Sequence, residues 1–325
     1  MIAYIVRRIL YAIPILIGVN LLTFLLFFTV NTPDDIARSQ LGDKRVTPEA
    51  IAQWKAERGY DQALFFSDAH WGHKRFTETI FWEKSLRLFV FDFGRSDSGR
   101  DIGYDIRQRM GPSLALAAPT LLLGLFASVC FALLLVFFRG GYLDFWGVVL
   151  AVTMLSISSL FYVIGGQWLI AKTLHLVPIS GYADGAHAWR FLILPVVIGA
   201  AAGFGASARF YRTLFLEEIN RDYVRTARAK GLSEPRILFR HVLQNALIPI
   251  LTGVVSLIPL LFLGSLVMES FFAIPGLGSY TIDALQRQDF AIVRAMVFLG
   301  AVLYIFGLLL TDIAYTLADP RVRLT

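Results

Sequence analysis

The chain has 325 residues, 56% of them hydrophobic, and a mean hydropathy of +0.62. Soluble domains are about 45 to 50% apolar, so this composition excludes an ordinary soluble protein. The net charge of +6 could indicate a nucleic-acid partner. However, the basic residues stand mainly where apolar runs end, which is typical of topology signals in membrane proteins. The single cysteine, Cys130, excludes an intrachain disulfide and a cluster of thiolate ligands.

The first apolar run predicts an uncleaved transmembrane helix. Arg7 and Arg8 precede an uncharged run over residues 9–30. At about 1.5 Å per residue this run is roughly 33 Å long, enough to cross a hydrocarbon core of about 30 Å. No cleavage pattern of small residues follows this run, so we do not interpret it as a signal peptide. The arginine pair predicts a cytoplasmic N-terminus.

Residues 31–112 are polar and charge-rich, and they predict an extracytoplasmic segment. Thr47 and Pro48 mark a helix start and Gly59 its end. Residues 63–93 mix aromatic and charged side chains and predict a small cap outside the membrane. His70 and His73, with Asp68 nearby, are a weak metal-site candidate, because a third well-spaced ligand is missing.

Five further apolar runs bring the predicted spans to six. They cover residues 113–138, 145–171, 191–208, 246–268 and 295–318. With both chain ends in the cytoplasm, most of the basic residues at the run ends also lie there. These are Arg139, Arg209, Arg212, Arg221, Arg225, Arg228, Lys230, Arg236, Arg240, Arg321 and Arg323. Only three basic residues of this set, Lys172, Arg190 and Arg287, fall in the predicted short outer loops.

Several residues inside the spans favour a packed bundle. Small residues let helices approach closely, and prolines kink helices where neighbours satisfy the freed carbonyls. The glycines are Gly199, Gly203 and Gly205, and the prolines are Pro195, Pro249 and Pro259. Glu269 and Asp312 stand near predicted span ends, which favours structural pairing or placement at a helix end over a proton relay.

A basic amphipathic stretch over residues 222–249 separates two apolar runs. Asp222 can cap a helix that runs through Ala229 and ends at Gly231. Ser233 can cap a second helix, with Pro235 in its first turn. Val224, Ala227 and Gly231 fall on one face of the first helix, which predicts docking on a partner protein. The same pattern also fits an interfacial helix on acidic headgroups.

This stretch resembles the coupling loop of permease subunits in binding-protein-dependent ABC importers, in the oligopeptide, dipeptide and nickel branch. The matching residues are Tyr223, Val224, Arg225, Thr226, Ala227, Arg228, Ala229, Lys230, Gly231 and Leu232, followed by Arg240, His241, Asn245, Ala246 and Pro249. The usual Glu-Ala-Ala becomes Arg225, Thr226 and Ala227, which is similar to the form in the peptide branch.

Further short motifs extend the resemblance over nearly the whole chain. They are Phe93 to Ser96, Pro178 with Ser180 to Tyr182, Glu269 to Phe272, Pro275 to Gly278, Asp283 with Ala284 and Asp289, and Asp319 to Arg321. Two departures remain. The third span lacks the proline expected near residues 156–161, and residues 63–93 form a longer outer stretch than a minimal member has.

The resemblance implies an all-α type I ABC importer permease in the bacterial inner membrane. Its parts would be helix 1 (residues 1–30), the outer segment (31–112), a transmembrane domain (113–318) with the coupling loop at 209–245, and a cytoplasmic tail (319–325). The implied partners are a second homologous permease, two ATPase subunits and a substrate-binding protein, within membrane lipid and without nucleic acid. No Gly-x-x-x-x-Gly-Lys loop is present, so ATP is expected on the partners and no cofactor or catalytic residue on this chain.

The resemblance implies peptide as the substrate, with nickel or another small solute as the alternative. A stand-alone secondary transporter would show inverted repeats with interrupted helices around midplane ion ligands, and no convincing repeat is visible. A membrane-embedded enzyme needs a positioned nucleophile and base or a metal motif. The sequence contains neither His-Glu-x-x-His nor Gly-x-Ser-x-Gly.

Overall fold

The computed structural model describes residues 2–42, 46–66, 74–183 and 185–318. Helices and turns make up these ranges, and the only β-pairing in them is one bridge between Arg95 and Asp101. Five helices are long and apolar enough to cross a membrane, and a bent pair gives a sixth span when it is counted as one. The prediction of an all-α membrane protein is therefore confirmed.

The first span and the polar segment follow the sequence signals closely. Helix α1 covers Ile2–Val30, and α2 (Pro33–Leu41) begins in a capping box between Thr32 and Asp35. Helix α3 (Pro48–Arg58) is capped by Thr47 and ends at Gly59, whose φ of 69° is left-handed. The predicted start and end of this helix are confirmed. Two short helices follow, α4 (Lys74–Thr77) and α5 (Ile80–Lys84).

The second span belongs to a longer helix than its apolar run predicts. Helix α6 covers Ile102–Phe137, and Asp101 caps it by accepting a hydrogen bond from the Tyr104 amide at 2.8 Å. Pro112 lies inside the helix. The helix therefore starts before the apolar run of residues 113–138, because the charged residues from 105 to 109 continue it beyond that run.

The third span is broken. Helix α7 (Tyr142–Ser156) and helix α8 (Ser159–Gly166), which a π-helical turn continues to Thr173, meet at 92°. Ile157 and Ser158 are both extended, with ψ of 128° and 143°. The Met154 carbonyl accepts hydrogen bonds from the Tyr162 hydroxyl at 2.8 Å and from the Ile157 amide at 3.4 Å. The sequence leaves a bend in the span over residues 145–171 undecided, because the proline expected from the resemblance is absent. The structure has the bend, which forms without that proline.

Helix α9 (Ala188–Ile219) is the centre of the bundle and packs on both α6 and α7. A Cβ on Gly205 would lie 2.7 Å from the backbone nitrogen of Leu155, and one on Gly199 would lie 2.8 Å from the Thr120 methyl group. These two glycines therefore permit the close approach predicted from small residues. Gly203 has open space around its Cβ position within the described residues.

The fifth span ends earlier than its apolar run. Helices α10 (Asp222–Ala229) and α11 (Glu234–Ile237) precede a π-helical turn and then α12 (Leu243–Leu261). Pro259 stands in the last turn of α12, and Gly264 has a left-handed φ of 73°. Met268, the predicted end of this span, lies instead in the separate short helix α13 (Leu266–Phe271). The chain continues through α14 (Leu277–Gln286) to α15 (Phe290–Ala318).

The helix contacts define two ends of the bundle. At the end that we call the terminal side, Arg8 in α1 pairs with Asp312 in α15 at 2.7 Å. At the opposite end, the segment side, Phe27 packs on Phe290 with ring centroids 5.1 Å apart. Helix α6 begins at the segment side beside α14 and α15 and ends beside α9 and α10. Helix α10 therefore lies on the terminal side, with both ends of the described chain.

Candidate functional site: a short helix on the terminal side

Helix α10 starts one residue earlier than its capping pattern indicates. Arg221 occupies the N-cap position, with φ −71° and ψ 153°, and makes no side-chain capping bond. Asp222 is the first helical residue, so the prediction that it caps the helix is wrong. Its carboxylate still lies in the first turn, where a negative charge stabilises the helix dipole.

Gly231 ends the helix in a Schellman motif. Its φ is +77°, and its amide donates to the Arg228 carbonyl at 2.9 Å, while the Leu232 amide donates to the Ala227 carbonyl at 3.3 Å. These two bonds satisfy carbonyls that the helix end would otherwise leave free. The predicted helix end at Gly231 is confirmed.

The second predicted helix is the beginning of the fifth span. Ser233 is the N-cap of α11, as predicted, although its side chain makes no capping bond, and Pro235 stands in the first turn. The π-helical turn over residues Leu238–Val242 leads from α11 into α12, so residues 234–261 form one continuous path. Helix α10 is thereby connected to this long apolar helix through only a short turn.

The apolar face of α10 is buried inside this chain. Val224 is fully buried and Ala227 is 5% exposed. Both belong to a core cluster with Phe215 of α9 and Ile237 of α11. Because this face is covered within the chain, neither a partner protein nor lipid headgroups contact it, and any docking contact of α10 must use its opposite face. Periodicity shows which residues share a face, but it does not show what covers that face.

The opposite face of α10 is exposed and polar. We call it the outer face of α10, and it consists of Arg221, Asp222, Tyr223, Arg225, Thr226, Ala229, Lys230 and Gly231. Of the ten residues predicted for coupling, six are exposed, Arg228 and Leu232 are half-buried, and two are buried. An ion pair from Arg228 to Glu234, at 2.7 Å, ties α10 to α11 across the Gly231 turn.

Tyr223 fixes the start of α10 to the end of α9. Its hydroxyl donates to the Glu218 carboxylate. Partial burial, followed by this hydrogen bond, raises the pKa of Tyr223 to about 12, so the hydroxyl stays protonated at neutral pH. The short helix is thus held at both ends and on its inner face.

An ion pair that no sequence pattern predicts joins α7 and α9. Asp144 in α7 accepts two hydrogen bonds from Arg212 in α9, both at 2.8 Å. Bidentate pairs of this kind fix geometry as well as charge. The two residues are 68 positions apart in the sequence. The only sequence signal for the pair is the unusual position of the Asp144 carboxylate at the start of an apolar run. From the sequence, Arg212 indicates only membrane topology.

Of the two acidic residues near the span ends, Asp312 forms an ion pair and Glu269 is held by hydrogen bonds. Asp312 pairs with Arg8, as described above. Glu269 is fully buried and accepts hydrogen bonds from the Ser113 hydroxyl at 2.8 Å and from the backbone amides of Ser265 and Ser279 at 3.1 and 3.0 Å. It therefore joins α6, α13 and α14 on the segment side.

Some predicted features lie outside the described residues. They are the candidate metal ligands Asp68, His70 and His73, the tail arginines Arg321 and Arg323, and the closing motif at Asp319 and Pro320.

Two family matches together cover most of the chain. Residues 128–324 match the family described as binding-protein-dependent transport system inner membrane component, and residues 1–87 match the N-terminal region of such membrane components. A Brucella abortus protein whose name refers to a peptide transport system permease is 34% identical over 99% of both chains.

Two further relatives have the same extent. The oligopeptide transport system permease protein of Bacillus subtilis is 30% identical over 99% of this chain and 100% of its own. The glutathione transport system permease protein of Salmonella typhimurium is 30% identical over 99% of each chain. The chain therefore belongs to the family of inner membrane permease subunits of binding-protein-dependent ABC importers, and its six-span helical bundle is the type I importer fold.

Proposed function

We propose that this chain forms half of a peptide translocation pathway and transmits the motion of cytoplasmic ATPase subunits through α10. A second homologous permease would complete the pathway, two ATPase subunits would drive it, and a substrate-binding protein would deliver the peptide. The names of the relatives, which refer to peptide, oligopeptide and glutathione transport, support this substrate class.

The burial of Val224 and Ala227 is the observation that supports docking of α10 on an ATPase subunit. An interfacial helix places its apolar face in the lipid headgroup boundary. Here that face packs against the chain's own bundle, so the outer face of α10 offers mainly polar and charged groups. A rigidly held polar helix suits a protein cleft better than a bilayer surface, which favours docking among the two alternatives left open by the sequence.

The same surface supports a membrane orientation, which is part of the proposal. The terminal side exposes Arg139, Arg221, Arg225, Lys230 and Arg236, and basic residues concentrate on the cytoplasmic side. The terminal side would then face the cytoplasm, with the N- and C-terminal ends, while the polar segment would face the substrate-binding protein. ATP would bind to the partner subunits, and this chain would carry no cofactor and no catalytic residue.

Photo-crosslinking tests the docking. A photoreactive benzoylphenylalanine at Arg225 is expected to capture an ATPase subunit in the assembled complex, whereas the same probe at exposed Ser98 on the segment side should not. If the probe at position 225 captures lipid alone while the ATPase subunits still co-purify, the docking proposal is wrong.

Thiol labelling tests the orientation. In a Cys130→Ala background, a membrane-impermeant maleimide should label Ser98→Cys in spheroplasts and should label Lys230→Cys only after the membrane is opened. The reverse pattern would contradict the proposed topology. Peptide uptake by the complex reconstituted with its binding protein tests the substrate, and uptake of nickel without uptake of peptide would favour the alternative.

A further inference from the structure

Part of the polar segment lies alongside α1 and not only above its end. The buried side chain of Asn20 donates a hydrogen bond to the Ser85 carbonyl at 2.9 Å. Fully buried Phe24 packs on Phe65 and Phe81, whose ring centroids lie 5.2 and 5.0 Å from its own. At about 1.5 Å per residue, Asn20 and Phe24 lie roughly 15 and 9 Å before the last residue of α1. The contacting residues of the polar segment therefore descend along the helix by similar distances.

The exposed face of α1 indicates that lipid reaches this depth. Leu22, Leu26 and Val30 are 69%, 60% and 72% exposed. Exposing an apolar side chain of this size to water costs about 1.5–3 kcal/mol, so this stripe favours lipid up to the end of the helix. From Arg8, which pairs with Asp312 on the terminal side, the helix rises roughly 33 Å to Val30. This length matches a hydrocarbon core of about 30 Å.

Two stretches of the polar segment are joined to each other at this depth. The Ile80 amide donates to the Ala63 carbonyl at 3.0 Å, and the Phe81 amide donates to the Leu64 carbonyl at 3.1 Å. The first stretch therefore lies directly against helix α5. Ile80 is fully buried in the core cluster that also contains residues of α1. The inner side of the two stretches is thus fixed to the helix.

The outer side of the same region exposes apolar side chains. We call it the apolar patch, and it consists of Leu64, Phe66, Phe76 and Trp82, which are 38–58% exposed. The rings of Phe66 and Phe76 meet edge to face, with centroids 5.5 Å apart. Aromatic side chains, tryptophan above all, are enriched where a membrane protein crosses the interface between lipid and water.

We propose that the apolar patch inserts into the membrane leaflet on the segment side and anchors the polar segment there. The patch continues the exposed apolar stripe of α1, because its residues adjoin Phe65 and Phe81, which pack on Phe24. Interfacial apolar groups reach about 5–10 Å into the boundary between headgroups and acyl chains, which is the depth at which Phe24 lies. The partner of the patch is therefore the acyl region of phospholipids.

This anchor changes the interpretation of residues 63–93, which the sequence predicts as a cap outside the membrane. Part of that cap would lie within the leaflet, and its position would be fixed by lipid as well as by the core that it shares with α1. The inference does not depend on the transport proposal, because insertion requires neither the partner subunits nor a substrate.

Spin labels measure the insertion in the full chain, in vesicles of phosphatidylethanolamine and phosphatidylglycerol. In a Cys130→Ala background, labels at Phe66→Cys and Trp82→Cys should collide often with oxygen, which concentrates among acyl chains, and rarely with a water-soluble nickel complex. The ratio of the two collision rates should approach that of a label at Leu22→Cys. It should exceed severalfold the ratio at Gln53→Cys, an exposed position of α3 in the same segment.

Two results would overturn the inference. Collision with the nickel complex at the level of Gln53→Cys would place the patch in water. Rare collision with both reagents would show that protein covers the patch.

A photoreactive benzoylphenylalanine keeps an aromatic ring in the patch, so it tests the same point if the cysteine variants do not fold. At Phe66 or Phe76 the probe should form phospholipid adducts, which mass spectrometry of the purified chain detects. At Gln53 it should form none. Capture of a protein chain without lipid at both patch positions, or no lipid adduct at either, would contradict the anchor.

Discussion

At the scale of single residues, the buried carboxylate of Glu269 connects helices that are distant in the sequence, which no local sequence pattern predicts. Its carboxylate accepts hydrogen bonds from the Ser113 hydroxyl and from the backbone amides of Ser265 and Ser279. The Ser113 hydroxyl in turn accepts a hydrogen bond from the Leu277 amide at 2.8 Å. These donors come from α6, α14 and the turn before α13. A single buried side chain therefore holds the connection between the fifth and sixth spans against the second.

We expect Glu269→Gln to lower the stability of the chain by about 1–3 kcal/mol, because an amide nitrogen would then face a hydrogen-bond donor in a buried site. Glu269→Ala should cost more, since it leaves all the donors unpaired and opens a void. Thermal unfolding of the purified chain measures both changes. Ser270→Ala, at the exposed neighbouring position, is the control and should behave like the wild type. Equal unfolding temperatures for Glu269→Gln and wild type would contradict this account.

Gly231 is the residue on which the end of α10 depends. A Cβ at this position would meet open space within the described residues, so the constraint is the left-handed φ of +77° and not crowding. Asparagine adopts this conformation readily, whereas a β-branched residue does so at a cost of about 1–2 kcal/mol.

Gly231→Val should therefore destabilise the turn between α10 and α11. As a consequence, it should uncouple ATP hydrolysis from peptide uptake in the assembled transporter. Gly231→Asn should retain coupling, and it serves as the matched control of similar size. The ratio of peptide taken up to ATP hydrolysed, measured at equal amounts of inserted protein, tests the difference. Normal coupling in both variants would show that the Schellman turn is not needed for transmission.

At the scale of elements, sequence signals located helices better than they located breaks. Thr47, Gly59 and Gly231 mark helix ends correctly because capping and left-handed φ are local properties of the chain. The bend at Ile157 and Ser158 could not be decided from the sequence because no proline marks it. The early start of α6 escaped prediction because its first turns are charged and lie outside the apolar run.

The site was only partly predictable for a related reason. The ten residues of the coupling stretch follow from the resemblance, and the Gly231 turn follows from capping rules. Which face of α10 remains exposed depends on Phe215 and Ile237, which come from other elements. The pair between Asp144 and Arg212 likewise depends on how α7 lies against α9. Contacts between distant segments leave no periodic signal in the sequence.

The break between α7 and α8 leads to a test at the element scale. Ser159 is the first residue of α8, where a proline is tolerated because the amide needs no partner within the helix. Ser158 has φ −61° and ψ 143°, the extended conformation that a residue before proline prefers.

We expect Ser159→Pro to leave the stability within about 0.5 kcal/mol of the wild type or to raise it by up to about 1 kcal/mol. Val152→Pro, inside α7, should cost about 3 kcal/mol or more, because it removes a helical hydrogen bond and introduces a clash. Thermal unfolding of both variants provides the comparison. If Ser159→Pro destabilises the chain as strongly as Val152→Pro, the bend in the structure is wrong.

At the scale of the whole molecule, the first and last helices close the bundle through two contacts at opposite ends. Arg8 and Asp312 pair on the terminal side, and Phe27 packs on Phe290 on the segment side. The polar segment follows α1 and its core also contains Phe24 and Phe28 of that helix. Helix α1 thus connects the proposed receptor-facing segment to the end of the bundle that carries α10.

The pair between Arg8 and Asp312 tests this closure. Arg8→Asp and Asp312→Arg should each destabilise the chain, because each places two like charges side by side at a helix–helix contact. The double exchange should recover at least half of the combined loss, since it restores opposite charges at the same contact. A double-mutant cycle on thermal unfolding measures the coupling, with Asp222 and Arg225 as an exposed control pair for which coupling near zero is expected. Additive losses at Arg8 and Asp312 would mean that the packing of α1 on α15, and not this ion pair, joins the two ends of the chain.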